Sequence, residues 1–294
     1  MPNTLVHLCV QTPASRILIR DTDFKWIALG CIVPDIPWIL QRIILIALPD
    51  VNLIDLRMYV VIQASLFFCL FFSLALSLLS TSPGKIFILL SINSFLHLLL
   101  DALQTKWANG VHFFAPISWQ VTNFSFFWPE SRVTLVLTIL GLGVLIICGA
   151  KDWKKRVQIT TKQKHRTIAA LLIFAYFLVP FLMFQGPEKE NNHYVTTLRN
   201  MEKRPGKYIE FDRGWFQSRD RTLHVFSGER LQLHGNIPQK DVQLSIQGNF
   251  IDKKNIRVTA YHVHSGFRDI ASMVGLTGVM FLWLIAIVRK KTVP

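Results

Sequence analysis

The run Phe95-Leu96-His97-Leu98-Leu99-Leu100-Asp101 decides how this chain is read. It lies within residues 86 to 104, a stretch long and apolar enough to cross a bilayer, yet it places a histidine and an aspartate one helical turn apart. Ionisable groups among leucines are costly unless something compensates them. Asn93, His97 and Asp101 recur at i, i+4 and i+8, so on a helix they share one face. A polar stripe at membrane depth points to a site.

Working outward, runs of about twenty apolar residues also appear at 57–79, 132–150, 167–186 and 270–288. A further segment, 26–48, is interrupted by Gly30, Pro34, Asp35, Pro37 and Arg42 and reads as a re-entrant or interfacial pair of short helices. The expected core therefore has five or six spans. Composition agrees: 51% hydrophobic residues, mean hydropathy +0.36 and net charge +14 fit apolar spans with basic flanks better than a nucleic-acid binder. Cys9, Cys31, Cys69 and Cys148 have no paired spacing, which argues against a zinc knuckle or a disulfide framework. No cleavable signal peptide is recognised, so the first internal apolar segment is expected to direct insertion.

Orientation follows from charge. The basic segment from Lys151 to Arg166 and the Arg289-Lys290-Lys291 tail belong on the cytoplasmic side, which sends 187–268 outside. The expected organisation is a helical membrane core at 1–186, an extracytoplasmic domain at 187–268, and a last span with a basic tail at 269–294. His7 and Asp101 fit the outer side, whereas Arg16, Arg20 and Lys25 prefer the inner one. The two demands conflict in the sequence.

The outer domain reads as all β. Val242 to Ile246 and Ile256 to Ala260 alternate with period two around the turn Asp252-Lys253-Lys254-Asn255, and runs near 208–211, 223–226 and 231–233 bring the count to five strands. That is the size of a small OB-like barrel, a shape associated with oligosaccharide or nucleic-acid binding. Outside a cytoplasmic membrane, a glycan, a lipid or a protein is the expected partner and nucleic acid is not. His262 and His264, at i and i+2, have metal-ligand spacing but read more simply as a surface pair. The cations Arg199, Lys203, Arg204, Lys207, Arg213, Arg219 and Arg221 form either a solvated face or an anion site. Aromatic residues from Trp107 to Trp128 read as an interfacial belt.

Four elements in the first 120 residues bear on chemistry: His7, the segment Gly30-x-x-x-Pro34-Asp35, the helix His97-x-x-x-Asp101, and Gly110 followed by Pro116. In this order the set resembles the bacterial inner-membrane-associated metal-dependent hydrolases, a family linked by name to LexA binding. The resemblance implies that His7, Asp35, His97 and Asp101 ligate a divalent metal, zinc being the expected ion, with Asn93 and His112 behind the ligands. A more distant similarity to zinc-dependent phospholipase C and single-strand nuclease folds implies hydrolysis of a phosphoester or lipid-linked substrate. The chain departs from the family at Pro37, where a second aspartate is usual, and at Gln63-Ala64-Ser65, where Thr-His-Ser is usual. These departures sustain an alternative, a non-catalytic envelope protein whose degenerate hydrolase-like core anchors a ligand-binding outer domain. His97 and Asp101 would then be a hydrogen-bonded packing pair, Asp35 a helix cap, and His7 an interfacial residue of an amphipathic segment.

Overall fold

The computed structural model describes residues 3–155, 157 and 159–288; Arg156 and the Arg289-Lys290-Lys291 tail used in the orientation argument lie outside the described residues. The first helices are α1 (Thr4–Leu18), α2 (Phe24–Ile32), α3 (Ile36–Ala47), α4 (Leu53–Gln63), α5 (Leu66–Ser77) and α6 (Pro83–Leu103). They are followed by α7 (Arg132–Asp152), α8 (Gln163–Leu178), α9 (Gln185–Lys189) and α10 (Val195–Arg199). Strands β1 (Tyr208–Gln217), β2 (Thr222–His224), β3 (Arg230–His234), β4 (Val242–Phe250) and β5 (Asn255–His264) precede α11 (Phe267–Val288).

Among the described residues, five helical stretches are long and apolar enough to cross a membrane: Phe24–Ala47, Pro83–Leu103, Arg132–Asp152, Gln163–Lys189 and Phe267–Val288. Two sequence expectations exchange places here. Residues 57–79, expected to be one span, are split between α4 and α5, which meet at 67°. The break follows from Ser65, which takes an extended backbone (φ −70°, ψ 156°) at the start of α5, and from contacts that draw α4 away. Ile54 packs on the barrel core and Asp55 accepts a hydrogen bond from Arg199. Conversely, 26–48 is a helical run interrupted only by a 3₁₀ turn at Val33–Asp35. Pro34 and Pro37 stand in the opening turns of the 3₁₀ segment and of α3, where the missing N–H costs little.

Helix α1 is likewise not the interfacial helix expected from its sequence. It packs against α2, α6, α7 and α11, with Leu5, His7, Leu8 and Gln11 buried. Gly141 makes this possible, because a Cβ there would stand 1.9 Å from the Leu5 carbonyl oxygen. Asn3 caps α1 through Val6 N–H and donates from Nδ2 to Thr138 Oγ1 at 2.7 Å, which pins α1 to α7. At the other end of α1, Arg16 lies 3.5 Å from Asp152, the last residue of α7. His7 and Arg16 are about 14 Å apart along the helix at ~1.5 Å per residue. This one short helix carries its histidine toward the barrel end of the bundle and its arginine toward Asp152 at the other end.

The strands close into a barrel in the order β1-β2-β3-β5-β4, antiparallel except for the parallel β3–β5 pair. Alternating residues fill its centre, among them Ile209, Phe211, Leu231, Leu244, Ile246 and Phe250. The register of β1 against β4 shifts between Phe211 and Gly214, and Arg213 adopts a left-handed φ of 56° within this irregularity. The bulge turns Arg213 away from the ladder and toward the bundle. Three of the seven cations named above are held in ion pairs: Arg199 binds Asp55 and Glu188, Arg204 is buried against Glu229, and Arg213 binds Glu130.

Candidate metal centre

Three side chains from two helices meet at the barrel end of the bundle. The periodicity of α6 puts His97 and Asp101 on one face, and α1 crosses that face with His7. Asp101 Oδ1 lies 3.8 Å from His7 Nε2 and Asp101 Oδ2 lies 3.8 Å from His97 Nε2. Both distances are too long for hydrogen bonds. His7 Nε2, His97 Nε2 and Asp101 Oδ1 are all buried and have no hydrogen-bond partner. The ligand atoms of the three residues lie within 4.8 Å of one another, so the group can hold a metal ion.

The surrounding contacts suit ligation. His97 Nδ1 lies 2.6 Å from the Cys31 carbonyl oxygen, which accepts only from an Nδ1–H tautomer and leaves Nε2 as a lone pair. Gln11, one turn after His7, places Nε2 3.1 Å from His7 Nδ1 while its own Oε1 has no partner. Turning that amide over keeps its shape and lets Oε1 accept from Nδ1–H, freeing His7 Nε2 in the same way. The two imidazole rings are stacked at 3.6 Å and 4°. Their Nε2 lone pairs therefore run side by side toward Asp101, and one ring must turn for both to converge on an ion. Lys106, buried and 3.4 Å from Asp101 Oδ1, is a neighbour that sequence reading missed. No spacing signal marks Lys106, whereas the i, i+4 relation of His7 and Gln11 was legible.

Asp35 Oδ1 lies 3.6 Å from His97 Nε2, but Asp35 stands outside the group of three and is partly exposed. Asn93 does not face the ligands. Its Nδ2 donates to Ser15 Oγ at 2.9 Å and to the Leu89 carbonyl at 2.8 Å, binding α1 to α6 one turn below His97. Gly30 lets α2 approach there, since a Cβ would meet Asn93 Cβ at 2.7 Å, and this approach delivers the Cys31 carbonyl to His97. His112 lines a cavity of about 20 Å³ shared with Asp101, Lys106, Trp38 and His193. The cavity has room for about one water. Burial pushes His112 down to about 4, against the backbone of Trp119 and Gln120, which favours the protonated ring.

A second cluster, Glu130, His262 and His264, also has metal-ligand proximity but is already satisfied. Glu130 accepts from Arg213 at 2.7 Å and from His264 Nδ1 at 2.9 Å, while His264 Nε2 lies 2.7 Å from Ser245 Oγ. His262 stacks on Trp128 at 3.7 Å and 2°. The pair is therefore not the free surface pair expected from sequence; it joins the barrel to the loop before α7. Burial raises the Glu130 carboxyl, but the hydrogen bonds from His262 and His264 and the Arg213 charge outweigh it and hold the group well below the usual carboxylate range.

Comparison with protein-family profiles, with curated proteins and with solved structures returns no match.

Proposed function

We propose that this chain is a membrane-embedded, metal-dependent hydrolase of a phosphoester or lipid-linked substrate, as its N-terminal motifs imply. The observation that carries the reading is the convergence of three buried ligand atoms of His7, His97 and Asp101 that make no hydrogen bond, with Lys106 the one cation beside Asp101 among the described residues. Leaving such groups without partners is costly, and an ion among them removes the cost. Two imidazoles and a carboxylate suit zinc, and ligand bonds of ~2.0–2.2 Å fall within reach of the present separations. When bound, such an ion with an open position lowers the pKa of a bound water to about 7. His7, His97 and Asp101 hold the ion, Asp35 stands beside His97 on the more exposed side, and the Cys31 carbonyl fixes the His97 tautomer.

The membrane is the bacterial cytoplasmic membrane in this reading. Support comes from the gathering of Arg16, Lys25 and Lys155 around Asp152 at one end of the bundle, with the barrel at the other. In this reading 187–268 is extracytoplasmic. The barrel's strand order and its parallel β3–β5 pair support the OB-like type. One observation favours the alternative of a non-catalytic envelope protein: the three ligand residues are closed to solvent, and the cavity beside Asp101 admits only a water.

The test is metal content by elemental mass spectrometry on detergent-purified wild type, His97→Ala and Asp101→Ala. Near-stoichiometric zinc or another first-row ion in the wild type, lost in both variants, is expected. Metal-free wild type after supplementation, with its helical content intact, rejects the metal centre.

A further inference from the structure

A groove of about 100 Å³ leads from the side of the bundle to Asp35. It runs between α3 and α11 and is floored by Thr4 in the first turn of α1, one turn before His7. Ile39, Met273 and Leu276 make its walls apolar, while Arg42 and the pair Arg268–Asp269 stand at its mouth. The charges divide unequally. Asp269 accepts from Arg268 at 2.8 Å and Asp35 faces His97, whereas Arg42 makes no hydrogen bond or salt bridge among the described residues. A guanidinium without a hydrogen-bond partner among the described residues, its charge acting on the nearby Asp269, therefore lies at the mouth of an apolar channel.

The surroundings identify the medium from which a ligand arrives. Ile43, Ile46, Ile270 and Met273 are all more than half exposed, on two helices of membrane-spanning composition. A mouth flanked in this way opens into hydrocarbon rather than water. A long arginine near the end of a span keeps its head at headgroup level while its stem covers apolar surface.

We infer that the α3–α11 groove is a lateral entry site for a lipid bearing a phosphate headgroup, with Arg42 pairing the phosphate and the chains lying on Ile39, Met273 and Leu276. The inference rests on the hydrolase reading and deepens it by naming its substrate class; the groove ends at Asp35, 3.6 Å from His97 Nε2. Guanidinium and phosphate match as forked donor and acceptor, which neither a neutral lipid nor a fatty alcohol offers.

The test uses the full chain in lipid nanodiscs, with retained lipid and metal measured on the same samples. Phosphatidic acid, the diacylglycerol of the same chains, and inorganic phosphate are the three probes. Wild type is expected to retain phosphatidic acid saturably and diacylglycerol poorly, and inorganic phosphate is not expected to compete. Arg42→Gln, on an exposed position, is expected to weaken phosphatidic acid binding about ten- to hundredfold, the effect of one charged hydrogen-bonded contact. Ser272→Trp, which fills the groove, is expected to abolish binding. Equal retention of diacylglycerol, competition by phosphate alone, or unchanged binding in Arg42→Gln overturns the inference; should Ser272→Trp not fold, Arg42→Gln decides. The metal measurement separates the two readings. Metal-free protein whose phosphatidic acid binding depends on Arg42 rejects the hydrolase and keeps the groove, and metal-loaded protein with Arg42-independent binding does the reverse.

Discussion

Replacing Glu130 by glutamine tests how the barrel is held to the bundle. The carboxylate accepts from Arg213 at 2.7 Å and His264 at 2.9 Å, with His262 at 3.4 Å. Hydrogen bonds to a charged group contribute about 1.5–3 kcal/mol each. Glutamine keeps one acceptor oxygen but removes the countercharge of Arg213, whose side chain is only 9% exposed. The junction is therefore expected to lose about 2–3 kcal/mol, which increases its local opening roughly 30- to 150-fold. Hydrogen exchange read by mass spectrometry on peptides covering 126–133 and 258–266 measures that opening directly. The sign of the pH dependence is fixed by the depressed Glu130 carboxyl. Its contribution is fully present above the unfolded carboxylate value of about 4.3 and is lost as pH falls toward the lower folded value. Wild type and Glu130→Gln are thus expected to converge in strong acid, as the Glu130 carboxyl protonates. Exchange in both peptides within threefold of wild type at neutral pH refutes the reasoning.

Three further outcomes are expected. Gly141→Ala forces a Cβ into the Leu5 carbonyl, so it should lower thermal stability by about 1–3 kcal/mol and reduce metal retention, while Gly143→Ala, with nothing within 4 Å, should be neutral or mildly stabilising. Arg204→Met leaves Glu229 without its two-pronged partner and frees the carbonyls of Leu198 and Lys253, a loss of about 3–5 kcal/mol visible as protease sensitivity in 185–266; a barrel as resistant as wild type would contradict it. With Gln239→Cys on the barrel and Lys154→Cys on the basic loop, a membrane-impermeant maleimide should label only the first in intact cells, and the reverse pattern would invert the proposed topology.

The amphiphilic pattern of α6 sufficed to place His97 and Asp101 on one face, because helical spacing is a local property. The five strands were legible for the same reason, since period-two alternation needs no partner to be seen. The break at Ala64 and Ser65 was hidden, because it depends on the barrel drawing α4 aside through Ile54 and Asp55, residues far in sequence from what they touch. Lys106 beside Asp101 and Glu130 beside His264 were equally invisible, because loops bring them there and no periodicity governs a loop. The depth of α1 depended on Gly141, whose lack of a side chain matters only once Leu5 lies against it. The sequence by itself determined the five strands, the long apolar segments and which ionisable residues stand in them, because hydrophobic periodicity is written along the chain, but not the break between α4 and α5 or the short helix α10 in the segment read as all β. Only the tertiary structure decided that His7 joins His97 and Asp101 and that the outer histidines are already occupied, because those outcomes depend on close approaches between distant segments.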